Sequence, residues 1–180
     1  MLPLKEAIAE LHSKAEKMEF NQRMFAGVLS PLEYKRYLIQ QLAIFSELET
    51  QPDGNSLPHS SLNRTDALVS DIEELNTLFN ISNKDIISVS KSTQDYLLHL
   101  KSLDNASYNA HVYLNYLALV YGGQMMKTKV PGSGKFYEFD GDMKELVGSI
   151  RAIQNDEMAE EANKGLQYII NILDELQKHS

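Results

Sequence analysis

Asn109 to Lys127 reads N-A-H-V-Y-L-N-Y-L-A-L-V-Y-G-G-Q-M-M-K, and its first half is apolar on almost every face of a helix. A helix tolerates that only when neighbouring elements cover it all round, so this segment is expected at the centre of the fold. It then runs into Gly122-Gly123. Each glycine lowers helix stability by about 1 kcal/mol relative to alanine, so the pair marks a mobile joint, a kink, or a place where something flat approaches the backbone.

Working outward, helical periodicity dominates. Pro3 suits a first helical turn, and Leu4, Ile8, Leu11 and Ala15 recur at spacings of three and four, predicting an amphipathic helix to about Met18. Ser30-Pro31-Leu32-Glu33 is a capping box with proline at the first helical position, opening a helix that carries Tyr34, Tyr37, Leu38, Leu42, Phe45 and Leu48. Pro52-Asp53-Gly54 signals a turn, and 51–63 reads as a loop. Leu68, Ile72, Leu75 and Phe79 mark a third helix. Ser92 to Asp95 reads as a further capping box ahead of Tyr96, Leu97 and Leu100, and Asp104-Asn105 separates that helix from the central one. Pro131-Gly132-Ser133-Gly134 breaks the central helix and leads into an aromatic stretch with Phe136, Tyr137 and Phe139. Two closing helices follow, one on Met143, Leu146, Val147 and Ile150, the other on Leu166, Ile169, Ile170, Leu173 and Leu176. No period-two alternation stands out, so the class is all-α, a single domain over 1–180 with about seven or eight helices.

Composition narrows the function. With 180 residues and 43% hydrophobic content, the chain can bury a sizeable core. It holds no cysteine, which removes disulfides and thiolate chemistry and is compatible with a reducing cytosol. A net charge of -8 argues against nonspecific nucleic-acid binding. The longest apolar run, 116–121, is too short to span a bilayer and no leader is evident, so a cytoplasmic protein without membrane insertion is expected.

Chemistry is concentrated first in the N-terminal helix. Lys5, Ile8, His12 and Glu16 share one face. A neutral imidazole can bind a metal through one nitrogen while the other donates to a carboxylate one turn on, which fixes the tautomer. Lys5 lies two turns earlier, roughly 10 Å along the axis. A solvated i,i+4 pair is the alternative for His12 and Glu16.

Leu4 to Phe20, L-K-E-A-I-A-E-L-H-S-K-A-E-K-M-E-F, resembles the proximal helix of the heme oxygenase family, in which the histidine ligates heme iron. Ala110 to Gln124, A-H-V-Y-L-N-Y-L-A-L-V-Y-G-G-Q, resembles that family's distal helix, usually A-H-A-Y-x-R-Y-L-G-D-L-S-G-G-Q. Gly134 to Phe139 and Glu160 to Gln177 are similar to the family's following aromatic stretch and last helix. The resemblance implies heme as both substrate and cofactor, lying between the two helices. His12 would then be its iron ligand, Glu16 would orient the imidazole, and the backbone at Ala118, Leu119, Gly122 and Gly123 would cover the distal face. It implies oxidation of the porphyrin's own meso carbon by O2 and opening to biliverdin, carbon monoxide and iron. The electrons would come from ferredoxin or a flavin reductase. Lys5 matches a lysine that pairs with a propionate, and Tyr113 a tyrosine near that edge. A second family lysine falls at Asn163, with Lys164 the neighbouring cation for the same carboxylate.

The departures lie in the distal helix. Where the family has R-Y-L-G-D, this chain has Asn115-Tyr116-Leu117-Ala118-Leu119. The family aspartate anchors waters above the ring. Leu119 cannot, and Asn115, one turn earlier on the same face, is the first substitute for that catalytic role, ahead of Tyr121 and Gln124. Leu119→Asp is expected to be tolerated. A bundle-packing amide is the alternative for Asn115. His111 reads as a hydrogen-bonded core residue, and His59, His99 and His179 as solvated. Lys14, Lys17, Arg23, Arg64, Lys127, Lys129 and Lys135 make either a basic rim for a redox partner or a dispersed set of charges. The competing functions are a heme carrier or sensor without productive oxygen activation, and a fold relative with a non-heme ligand, as in thiaminase-like or di-iron proteins.

Overall fold

Residues 1–50, 57–81 and 88–179 are described by the computed structural model, and every regular element among them is helical. In chain order they are α1 (Leu4–Ala7), α2 (Ala9–Glu16), α3 (Glu19–Phe25), α4 (Pro31–Leu48), α5 (Thr65–Leu78), α6 (Lys91–Lys101), α7 (Asn105–Met126), α8 (Met143–Ala152) and α9 (Ala159–Lys178). Short 3-10 turns occupy Ser60–Leu62, Lys135–Tyr137 and Asp156–Met158. The turn expected at Pro52-Asp53-Gly54 lies outside the described residues.

α7 is central, as its composition requires. It packs against α8, α9 and the Lys135–Tyr137 turn, and buries Tyr108, Val112, Tyr116 and Val120. Complete burial of a side chain of this size contributes about 1.5–3 kcal/mol, so α7 anchors the core. Phe45 of α4 meets the Tyr116 ring edge-on at 5.0 Å and Phe136 at 5.4 Å, joining α4, α7 and the aromatic stretch. Asp104 caps α7 by accepting from the Ser107 amide at 2.9 Å, and the helix continues through both glycines to Met126. No helix among the described residues is long and apolar enough to cross a membrane.

The capping box at α4 is present: Ser30 Oγ accepts from the Glu33 amide and the Glu33 carboxylate accepts from the Ser30 amide, each at 3.1 Å. The helix count exceeds the seven or eight expected, for two reasons. The N-terminal helix is interrupted at Ile8 (φ -101°, ψ -1°), where Asn163 of α9 donates to the Ala7 carbonyl at 3.1 Å. The separate α3 follows Met18 and buries Phe20 and Met24. The cap of α6 is Ser90, whose Oγ accepts from the Thr93 amide at 3.3 Å, rather than Ser92. Ser92 lies inside the first turn, its amide bonded to Glu175 of α9 at 2.9 Å, while Gln40 of α4 accepts from the Ser90 amide at 2.9 Å.

Candidate functional site

α7 is covered on most sides but opens along one stripe. Ala118, Tyr121 and Met125 are exposed and Gly122 is half-buried, a spacing of three to four residues that defines a single face. A Cβ placed on Gly122 would meet nothing within 4 Å. Its neighbour differs: a Cβ on Gly123 would lie 3.0 Å from the Tyr137 carbonyl oxygen and 3.4 Å from Tyr137 Cβ. Gly123 thus lets the aromatic stretch pack against α7, whereas Gly122 leaves backbone accessible.

Two side chains of the α5 region hold that aromatic stretch in place. Buried Asp71 accepts from the amides of Lys135 at 3.0 Å and Phe136 at 2.8 Å. Burial pushes its carboxyl above the ordinary carboxylate range, against the pull of those two amides. Arg64, 6% exposed, donates to the carbonyls of Phe136 at 3.0 Å and Glu138 at 2.5 Å and lies 3.9 Å over the Phe139 ring. Arg64 is therefore removed from any basic rim, since its donors are spent on loop carbonyls. Arg23 pairs with Glu33 through two contacts at 2.5 and 2.8 Å, and Lys127 pairs with Glu138.

On α2, His12 is 47% exposed at its side chain, with Nδ1 3.6 Å from the Glu16 carboxylate. That is ion-pair reach, beyond a direct hydrogen bond. α2 and α7 both pack against α9, so one helix supports both segments. Lys5 is exposed on α1. Lys164 lies 3.6 Å from Glu160 and 3.7 Å from Glu161 of its own helix, and Asn163 is committed to the Ala7 carbonyl.

Asn115 donates its amide to the His111 carbonyl at 2.8 Å and to the Tyr96 hydroxyl at 3.1 Å. Tyr96 in turn meets His111 Nδ1 at 2.7 Å, and His111 Nε2 meets Glu161 Oε1 at 2.8 Å. An ionised carboxylate only accepts, so His111 donates through Nε2 and, when neutral, accepts a hydrogen bond from the Tyr96 hydroxyl at Nδ1. Burial lowers the His111 pKa despite the Glu161 contact. Burial also opposes ionisation of Glu161, yet hydrogen bonds from His111 and His99 hold its carboxyl below the ordinary range. His111 is thus the bonded core histidine expected. His99 is not solvated: its Nε2 lies 2.5 Å from the same Glu161 oxygen. His59 caps the Ser60–Leu62 turn and contacts Glu145 at 3.2 Å, so it too has partners. Leu119 is 8% exposed and packed in the core, so an aspartate there would be a buried charge, contrary to the tolerance expected from sequence.

Arg151 of α8 stands beside the open stripe of α7, a position no sequence motif marks. Its Nη2 donates to the Tyr121 hydroxyl at 3.1 Å, with the guanidinium 5.8 Å from that ring centre, and its charge opposes the rise that burial imposes on Tyr113. A lone arginine following the apolar face Leu146, Val147, Ile150 was the available signal.

Comparison with known proteins gives a consistent result. The family model described as heme oxygenase matches residues 2–171. Heme oxygenase of Guillardia theta is 28% identical over 157 residues, covering 77% of this chain and 65% of that protein. Heme oxygenase 1 of Gallus gallus is 30% identical, covering 97% and 69%. The chain thus spans just under two thirds of the length of the first curated relatives. Among solved structures, heme oxygenase-1 from Synechocystis sp. PCC6803 in complex with heme superposes with a TM-score of 0.78 at 22% identity, covering 98% of this chain and 91% of that one. Heme oxygenase from Leptospira interrogans gives 0.79 at 24%, covering 96% and 97%. At these identities the structural likeness shows the fold.

Proposed function

Because this chain belongs to the heme oxygenase family, we propose that it binds heme as one domain and opens the ring to biliverdin, releasing carbon monoxide and iron. The observation that carries this reading is the open stripe of α7. Towards the C-terminal end of α7, Ala118, Tyr121, Gly122 and Met125 leave apolar surface uncovered, with exposed Gln124 beside them, and Gly122 presents backbone that no side chain guards. The donors present fit an anionic iron porphyrin: an exposed imidazole at His12, and cations at Lys5 and Arg151 for the propionates. Bound heme supplies both the oxygen-activating iron and the carbon that is oxidised. His12 would hold the iron through Nε2, with Glu16 drawing the Nδ1 proton and fixing the ring. Tyr113 and Arg151 would orient the propionate edge, and Asn115 would anchor water on the distal side. Ferredoxin or a flavin reductase would supply electrons, in the cytoplasm.

A heme carrier or sensor is the second reading, favoured by Leu119, a buried hydrocarbon where the family aspartate stands. One experiment separates them. Heme is added to the purified chain with a ferredoxin reductase system and oxygen, and biliverdin and carbon monoxide are followed. Ring opening at about one bilin per heme is expected. Tight 1:1 heme binding without bilin under every donor would establish the carrier.

A further inference from the structure

We propose that His99, His111 and Glu161 form a binding site for a divalent first-row transition-metal ion, separate from the heme site. Their ligand atoms come from three helices, α6, α7 and α9, and all lie within 4.8 Å of one another. Both Nε2 atoms converge on one carboxylate oxygen, at 2.5 and 2.8 Å. A cation bound at about 2.0–2.2 Å to each ligand needs the three atoms roughly 3.0–3.5 Å apart, so a retreat of the Glu161 carboxylate by under about 1 Å makes room. Two imidazoles and one carboxylate, with further positions open, suit zinc or ferrous iron rather than magnesium or calcium.

The surroundings favour a built site over a chance meeting of side chains. The rings are fixed before any ion arrives: His99 lies 5.1 Å from the Tyr168 ring and 5.6 Å from that of His111. The Tyr96 hydroxyl oxygen, 2.7 Å from His111 Nδ1, is placed to accept a hydrogen bond from that nitrogen when Nε2 binds a metal. Gly165 of α9 admits the His111 ring, since a Cβ there would sit 2.9 Å from Nδ1. His99 and Glu161 are 17% and 15% exposed, which gives an ion a route in, whereas His111 is fully buried. Lys164 engages the other Glu161 oxygen at 3.7 Å and leaves Oε1 to act as a single ligand. Gly122 lies eleven residues after His111, about 16 Å along the helix axis, so the ion site is away from the open stripe, with Tyr96 and Asn115 standing between the two.

The test uses the full chain, free of heme and of any affinity tag, stripped with EDTA. Zn2+ is titrated calorimetrically, and Co2+ is followed by its visible ligand-field bands. One Zn2+ per chain is expected, with Mg2+ and Ca2+ unable to compete. His99→Ala and Glu161→Gln should each weaken Zn2+ binding at least tenfold while circular dichroism and the urea midpoint of the metal-free chain stay unchanged. Glu161→Gln is the sharper variant, because its amide oxygen still accepts from both imidazoles but is no longer an anionic ligand. Absence of saturable Zn2+ binding, or binding undiminished in Glu161→Gln, would overturn the site. So would binding lost only in His12→Ala. Because no heme is present, the outcome is independent of the heme reading.

Discussion

Asn115 points its amide nitrogen at the Tyr96 hydroxyl, 3.1 Å away, and at the His111 carbonyl, 2.8 Å away. The second partner is an acceptor only, so chemistry assigns the NH2 end to this side and leaves Oδ1 as the free end of the group. If Oδ1 anchors distal water in place of the family aspartate, Asn115→Leu removes one hydrogen bond, worth about 1–2 kcal/mol. Bilin formation should slow roughly fivefold to thirtyfold with heme affinity nearly unchanged. Tyr96→Phe should act in the same direction more weakly, by loosening the amide. Single-turnover bilin yields of the two variants decide it, and wild-type rates in Asn115→Leu would make the residue a packing amide.

The two glycines of α7 should separate in experiment. Gly122→Ala adds a methyl group in open space and removes a flexible helix residue, so stability should hold or rise by up to about 1 kcal/mol. Gly122→Val should nevertheless weaken heme binding, because its branches stand on the open stripe. Gly123→Ala pushes against the Tyr137 carbonyl and should lower stability by about 1–3 kcal/mol. Urea unfolding and heme titration on the same three variants read both effects. Equal heme losses without a stability difference would contradict this division.

His12→Ala should abolish the axial histidine signature of ferric heme and stop bilin formation, with added imidazole restoring both in part. The side chain is 47% exposed, so the fold should survive the change. An unaltered heme spectrum in the variant would place the ligand elsewhere.

What could be read from the sequence was local. The Ser30 and Glu33 box and the burial of Tyr108, Val112, Tyr116 and Val120 on α7 follow from residues within a few turns, so period and capping chemistry reveal them. The missed features are decided by distant partners. Ser90 rather than Ser92 caps α6 because Gln40 and Glu175, 50 and 83 positions away, take the two amides. His99 looked solvated because Glu161 is 62 residues further on. Arg64 reads as a surface cation in the sequence because the Phe136 and Glu138 carbonyls that bury it lie more than 70 residues along the chain.

Leu119 is where the family pattern and the packing of this chain conflict most. The residue is buried in the core, so Leu119→Asp places a carboxylate among hydrocarbon without a designed partner. Destabilisation of about 2 kcal/mol or more is expected in urea, together with a carboxyl that resists ionisation. Wild-type stability in this variant would mean that position 119 reaches solvent.

Two acids on α5 hold the same connection after α7 and should respond to pH in opposite senses. Glu74 accepts from the Ser133 hydroxyl at 2.7 Å and amide at 2.6 Å, and these bonds lower its pKa from the ordinary 4.5. A lowered carboxyl pKa contributes stability that is present above 4.5 and lost as pH falls through the folded-state value. Asp71 is the reverse: burial raises its pKa above 3.8, so its contribution is complete below 3.8 and declines as pH rises through the raised value. Glu74→Gln should therefore lower the urea midpoint at neutral pH and flatten the fall on acidification below about 4.5. Asp71→Asn cannot ionise but also cannot accept from both the Lys135 and Phe136 amides, so it should be less stable at every pH while losing the decline above 3.8. Urea midpoints of wild type and both variants between pH 3 and 7, about half a unit apart, give the three curves. If Glu74→Gln keeps the full wild-type acid slope, the carboxylate that unlocks this connection is another one.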